Sequence, residues 1–305
     1  MRQRGEKGNM ESSLSSRAFL CSLSLGAWWG RREDKGEARR IAREHGAAFE
    51  DVNVGISLVP RVLVRSVDNA ETAIRANWKH YTLTWERGLR VLPRTVLERL
   101  TDTHRELRQK WTELVDQFCD VYPALRDEAV NKWGSVLCRR MPNPGVGIRR
   151  RFYCKLDLWP FPDTGDFRVE MADARKAEII AEAQEAIENR MREAVADPIR
   201  RAAVLVGKMV ERLGLYDAEG TARPFKDSLV ENLEEYLPLL RDLNLTNDPE
   251  IDWLSVNLPR LIVDPELLRS DEAIRRKTMK LAAEAAQRIE KLDLEGEGEA
   301  DESNE

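Results

Sequence analysis

The chain is poor in the residues from which most catalytic and metal sites are built. Its 305 residues include three histidines and four cysteines. His45, His80 and His104 lie far apart and make no H-E-x-x-H spacing, which excludes a zinc-protease helix. Cys21, Cys119, Cys138 and Cys154 form no C-x-x-C pair, so neither a zinc ribbon nor a dithiol redox motif is present, and free thiols in a reducing cytosol are expected. The sequence has no G-x-x-x-x-G-K-[ST] loop and no G-x-S-x-G elbow, which excludes a P-loop nucleotidase and the common serine hydrolases. No enzyme activity, metal or cofactor is expected. Aromatics make up only 7% and charged residues 34%, which excludes a protein of many membrane spans. Arg2, Arg4 and Lys7 precede the run Ala18–Trp29, an arrangement like a weak signal peptide. Leu20 is too bulky to precede a lipidated Cys21, and Ser22, Ser24 and Gly26 interrupt the run, so a cytoplasmic protein is expected.

What the sequence does contain is mixed charge on helical periodicity. Lys and Arg number 49 against 54 Asp and Glu, for a net charge of -5. Phe19, Cys21, Leu23, Leu25 and Ala27 alternate with smaller or polar residues, predicting a strand. A charged helix over 35–45 follows, then an amphipathic one over 60–81 with Leu63, Val67, Ala70, Ile74, Trp78 and Tyr81 on one face. The strongest pattern runs through Leu97, Leu100, His104, Leu107, Trp111, Leu114, Phe118, Val121 and Leu125. This strict alternation of three and four predicts a coiled-coil-like rod from Arg94 to Ala129, roughly 54 Å long at 1.5 Å per residue. The seam can close within the chain or between two copies.

Beyond a Pro/Gly-rich break at 141–147, Phe152 to Leu158 alternates as a second strand, with Asp166–Glu170 as its expected return after the turn at 160–165. A second long helix begins near Met171, and Asp197-Pro198 predicts a kink or restart within it. The two rods are expected to pack antiparallel. Asp248-Pro249 and Asp264-Pro265 predict further helix starts, and Ser270 begins a last helix ending near Leu292. Glu290 to Glu305 carries a net charge of -7, a tail expected to be disordered. The expected fold is α+β, predominantly α: long antiparallel coiled-coil-like helices, a small antiparallel β-sheet and a C-terminal helical bundle. Its expected parts are a disordered basic leader (1–13), the strand, helical hairpin and sheet (14–220), a C-terminal helical subdomain (221–292) and the acidic tail (293–305).

Chemistry concentrates in one place. From Cys138 to Lys155 the chain carries Arg139, Arg140, Arg149, Arg150, Arg151 and Lys155 and no acidic residue, with Phe152 and Tyr153 adjoining. Basic side chains beside aromatics suit a phosphate backbone with stacked bases, and equally an acidic protein surface. Gly145-Val-Gly147 beside these arginines is either a phosphate-holding turn or a plain connection. Trp28 and Trp29 are candidate partner contacts, since a strand exposes one neighbour as it buries the other. His104, on the seam, is a core or partner-facing histidine.

Leu20-Cys-Ser-Leu-Ser-Leu-Gly-Ala-Trp-Trp-Gly-Arg-Arg32, Phe118-Cys-Asp-Val-Tyr122, Leu243-Asn-Leu-Thr-Asn-Asp-Pro249 and Leu268-Arg-Ser-Asp-Glu-Ala-Ile-Arg-Arg276 resemble a phage and bacterial family, domain of unknown function 3150, over about 14–292. The resemblance implies a phage-encoded, non-catalytic companion of a MoxR-type AAA+ ATPase or a von Willebrand A protein, and it transfers no catalytic residue. The leading expectation is therefore an interaction or scaffold protein, homo-oligomeric if the seam closes between copies. The alternative is a nucleic-acid-binding accessory protein using segment 138–155.

Overall fold

A computed structural model describes residues 16–86, 88–161, 173–216 and 226–301. In chain order its elements are β1 (Ala18–Gly26), β2 (Arg31–Glu33), α1 (Lys35–His45), β3 (Gly55–Ser57), α2 (Arg61–Tyr81), β4 (Leu83–Glu86), β5 (Leu89–Pro93), α3 (Leu97–Cys138), α4 (Val146–Arg149), β6 (Tyr153–Pro160), α5 (Asp173–Gly214), α6 (Ser228–Asp242), α7 (Pro249–Asn257), α8 (Pro265–Ser270) and α9 (Glu272–Asp301). The fold is α+β and predominantly helical. A four-stranded sheet has the order β4-β5-β1-β6, and β2 pairs with β3 in a two-stranded ribbon. The run that resembles a signal peptide is thus strand β1. Among the described residues, no helix is long and apolar enough to cross a membrane.

Aspartates start several helices, Asp248 and Asp264 as expected and Asp34 and Asp271 in addition. The Asp34 carboxylate accepts from the amides of Gly36 and Glu37, both at 3.0 Å. Asp248 accepts from Glu250 at 2.8 Å and Asp264 from Glu266 at 2.8 Å, each with proline next in line. Asp271 starts α9 by accepting from Ala273 and Ile274. At Asp197-Pro198 no restart occurs: helix α5 runs through Pro198, and the Asp197 side chain accepts from Thr84, Arg90 and Arg201 instead of capping a new helix.

The chain divides into two compact units, each assembled from separated stretches: Met1–Ser22, Tyr81–Glu98 and Leu158–Glu305 form one, Leu23–His80 and Arg99–Asp157 the other. Neither follows the expected boundary at 220. In the first unit, β5 pairs antiparallel with β1 from Ala18↔Pro93 to Ser22↔Leu89, and with β4 on its other side. Helix α5 packs on β4, α6 and above all α9. The small residues Ala194, Ala202, Ala282 and Ala285 are buried in these helices, and such residues let two backbones approach closely. A Cβ placed on Gly214, at the end of α5, would meet Met279 Sδ near the start of α9 at 3.6 Å, so the pair is antiparallel. The long antiparallel partner of α5 is therefore α9, not α3 as expected. The backbone of α9 continues to Asp301, past the expected end at Leu292 and into the segment expected to be disordered. The leader 1–13, the return strand 166–170 and the last residues, 302–305, lie outside the described residues.

The second unit has one apolar core. Val64, Val67 and Ile74 of α2 join Trp111, Val115, Phe118, Tyr122 and Ala129 of α3, with Met141, Ile148, Phe152 and Cys154. Helix α3 starts at Leu97, holds its course past Pro123 and breaks at Gly134, whose φ of 80° and ψ of 160° are not helical. Its buried face follows the heptad seam at Leu100, His104, Trp111 and Phe118 and leaves it at the alternate seam positions. Val115 and Tyr122 are fully buried, whereas Val121 is 45% exposed and Leu114 is half-buried. A straight helix of 3.6 residues per turn drifts about 20° per heptad from a 3.5 repeat. Over four turns the inward position therefore passes from Leu114 to Val115 and from Val121 to Tyr122. The α3 ridge is spent on the core of its own unit.

Candidate nucleic-acid interface

The basic segment is built by inward anchors that leave its arginines outside. Cys138, Met141, Ile148, Phe152 and Cys154 are all buried in the second unit's core. Between them the backbone closes on itself: Met141 N–H donates to Cys138 O, Ile148 N–H to Asn143 O, and Phe152 N–H to Arg149 O. The Tyr122 hydroxyl donates to Pro142 O at 2.8 Å, tying the loop to α3. Burial pushes that phenol up to about 12, against the lowering charge of Arg126, so it stays a neutral donor. Held this way, Arg139, Arg140, Arg150 and Arg151 face outward, and among the described residues none of the four meets a carboxylate. Arg149 is half-buried and paired with Asp116 at 3.2 Å, and Lys155 pairs with Asp157 at 2.8 Å. Of the six expected cations, then, four are available and two are engaged. Gly145, at φ 72°, only turns the chain into the one-turn α4.

The tryptophan pair meets this segment through aromatic packing. Trp28 stands edge-on to Tyr122 at 5.3 Å and tilted to Phe118 at 6.3 Å, and Phe118 stacks edge-on with Phe152 at 5.6 Å. Trp28 is therefore a half-buried brace, whereas Trp29 is 42% exposed. The two aromatics of the segment separate in the same way: Phe152 is an anchor and Tyr153 stands out at 54% exposed.

His104 does not belong here. It is 7% exposed on α3, about 21 Å from Phe118 along the helix. Burial and the Arg108 charge both push its pKa down, so it is a neutral core imidazole and not partner-facing. Its Nδ1 has no hydrogen-bond partner among the described residues.

Two carboxylates, Glu71 buried and Asp197 half-buried, escaped the sequence reading. Glu71 lies inside the second unit, accepting from the Trp111 indole at 3.4 Å with Arg75 at 3.9 Å. Burial holds its pKa above the usual range despite Trp111 and Arg75. In the first unit, Asp197 accepts from Thr84 N–H at 2.9 Å and Thr84 Oγ1 at 3.0 Å, from Arg90 at 3.1 Å and from Arg201 at 2.8 and 2.9 Å. Burial would raise it, but the Arg201 and Thr84 hydrogen bonds and the Arg90 charge outweigh that and hold it low. The only sequence signal for Asp197 was its place before Pro198, which read as a cap. Both groups tie elements together.

The four cysteines are free, three of them buried, and burial pushes the Cys119 and Cys154 thiols up, away from reactivity. Among the described residues no cluster of histidine, cysteine and carboxylate side chains suits a metal ion. A polar cleft of about 740 Å³ in the first unit is lined by Arg17, Arg94 and Arg241 together with Glu98 and Asp242, so its charges largely cancel. Compared with known proteins, the chain matches no family profile, no curated protein and no solved structure.

Proposed function

We propose that this chain is a non-catalytic binding protein whose ligand is nucleic acid, held by Arg139, Arg140, Arg150 and Arg151. The observation that carries the reading is that these four residues are exposed, with no carboxylate partner among the described residues, on a backbone anchored from below by Met141, Ile148 and Phe152. A guanidinium matches phosphate geometry, and an anchored loop loses little freedom on binding. The acidic balance of the chain does not oppose this. Of the net -5, residues 290–305 carry -7, so the rest is +2.

The test is a mobility-shift titration across a salt series. Binding by four phosphate contacts should weaken with a slope of log K against log salt of about -3. Replacing the four arginines by alanine should flatten that slope and cost more than about ten-fold in affinity. No binding at low salt, or undiminished binding by the quadruple variant, overturns the reading. The exposed Trp29 favours a second reading, the scaffold beside an AAA+ ATPase or von Willebrand A protein that the family resemblance implies. Capture of such a partner by the quadruple variant, lost on Trp29→Ala, would move the function there.

A further inference from the structure

We infer that the nucleic acid is single-stranded and that Tyr153 stacks on one of its bases. This rests on the arginine interface proposed above and adds the class of ligand. Tyr153 opens β6 between two inward residues, Phe152 and Cys154, which are 6% and 7% exposed. Strand alternation therefore drives its ring outward, on the same face as Lys155. Behind the ring lies Gly26 of β1. A Cβ at Gly26 would fall 2.1 Å from Tyr153 Cε1 and 2.5 Å from Cζ, so any other residue would displace the ring. Glycine here lets the phenol lie directly on the β1 backbone, supported from one side and still 54% exposed. A supported ring with an open side, two residues after Arg151 and three after Arg150, is the combination that binds unpaired strands. The guanidiniums take phosphates and the ring takes a base face. A duplex keeps its bases stacked inside and offers a surface tyrosine no such face.

The experiment is fluorescence anisotropy on the full chain, with a labelled oligothymidine of about 16 nucleotides and a duplex of equal length. The wild type should bind the single strand at least about ten-fold more tightly than the duplex. Tyr153→Ala should cost about ten-fold on the single strand and leave duplex binding unchanged. Tyr153→Phe should retain the wild-type affinity, because stacking needs the ring and not the hydroxyl. Tyr153→Leu, which keeps an apolar side chain over Gly26, should behave like Tyr153→Ala. Equal affinity for duplex and single strand, or a Tyr153→Ala variant that binds the single strand as well as wild type, overturns the inference. In that case the arginine reading survives if the quadruple variant still loses binding. A wild type that binds neither probe overturns both.

Discussion

At the scale of single residues, buried Glu71 and half-buried Asp197 have opposite consequences for stability. Asp197 is held below its ordinary pKa by Arg201, Thr84 and Arg90. Its contribution is complete above the unfolded carboxyl value near pH 4, and is lost as pH falls through the lower folded value. Asp197→Ala would leave two partly buried guanidiniums around an empty place and should cost about 3 kcal/mol in urea unfolding at neutral pH. Glu71 is raised instead, so the folded chain holds its proton over a range where the unfolded chain has released it. Above that range the buried charge is a burden. Glu71→Gln keeps an acceptor for Trp111 and should stabilise the protein at pH 7, with the gain vanishing near pH 3.5. A gain independent of pH would show that shape rather than ionisation separates the two side chains. Neither carboxylate stands out in the sequence. Glu71 occupies a helix rich in charge, and nothing local distinguishes a glutamate that turns inward.

At the scale of elements, α3 shows why an apolar repeat is read more easily than its inward face. The three-and-four alternation correctly marks one long helix. Which residues that helix buries depends on the straightness of its axis, and a straight axis moves the stripe one residue along within two heptads. Two valines on the same helix make the test. Val115 is fully buried, so Val115→Ala should cost about 2 kcal/mol. Val121 is 45% exposed, and Val121→Ala should stay within about 0.5 kcal/mol. A coiled coil closing on the heptad seam would reverse that order. Short elements are the harder case. Hairpin β4–β5 turns at Gly88, with φ at 88°, and Leu83 and Trp85 alternate ahead of it. It nevertheless escaped the sequence reading, because a four-residue alternation is weak beside the long apolar stripe that follows. Yet this hairpin places Thr84 opposite Arg90, which sets the Asp197 site.

At the scale of the whole molecule, both units draw on separated parts of the chain. Consecutive fragments should therefore fail to fold. A chain ending at residue 220 would lack α6 and α9, and the buried face of α5, with Val206, Met209 and Leu213, would meet water. Such a fragment should bind a hydrophobic dye such as ANS and lose its near-ultraviolet circular dichroism. A soluble, cooperatively melting fragment of that length would show that α5 finds its support elsewhere.

Helix identity, the aspartate starts at Asp34, Asp248, Asp264 and Asp271, and the basic composition of 138–155 all follow from residues within a turn or two of one another. Local rules suffice for them, because periodicity, capping and charge are properties of neighbours. The partner of α5, the engagement of Arg149 with Asp116, and the contrast between Phe152 buried and Tyr153 exposed follow from contacts across tens to hundreds of residues. The sequence carries no marker for those, since a glycine such as Gly26 looks like any other until a ring from the far side of the chain comes to rest on it.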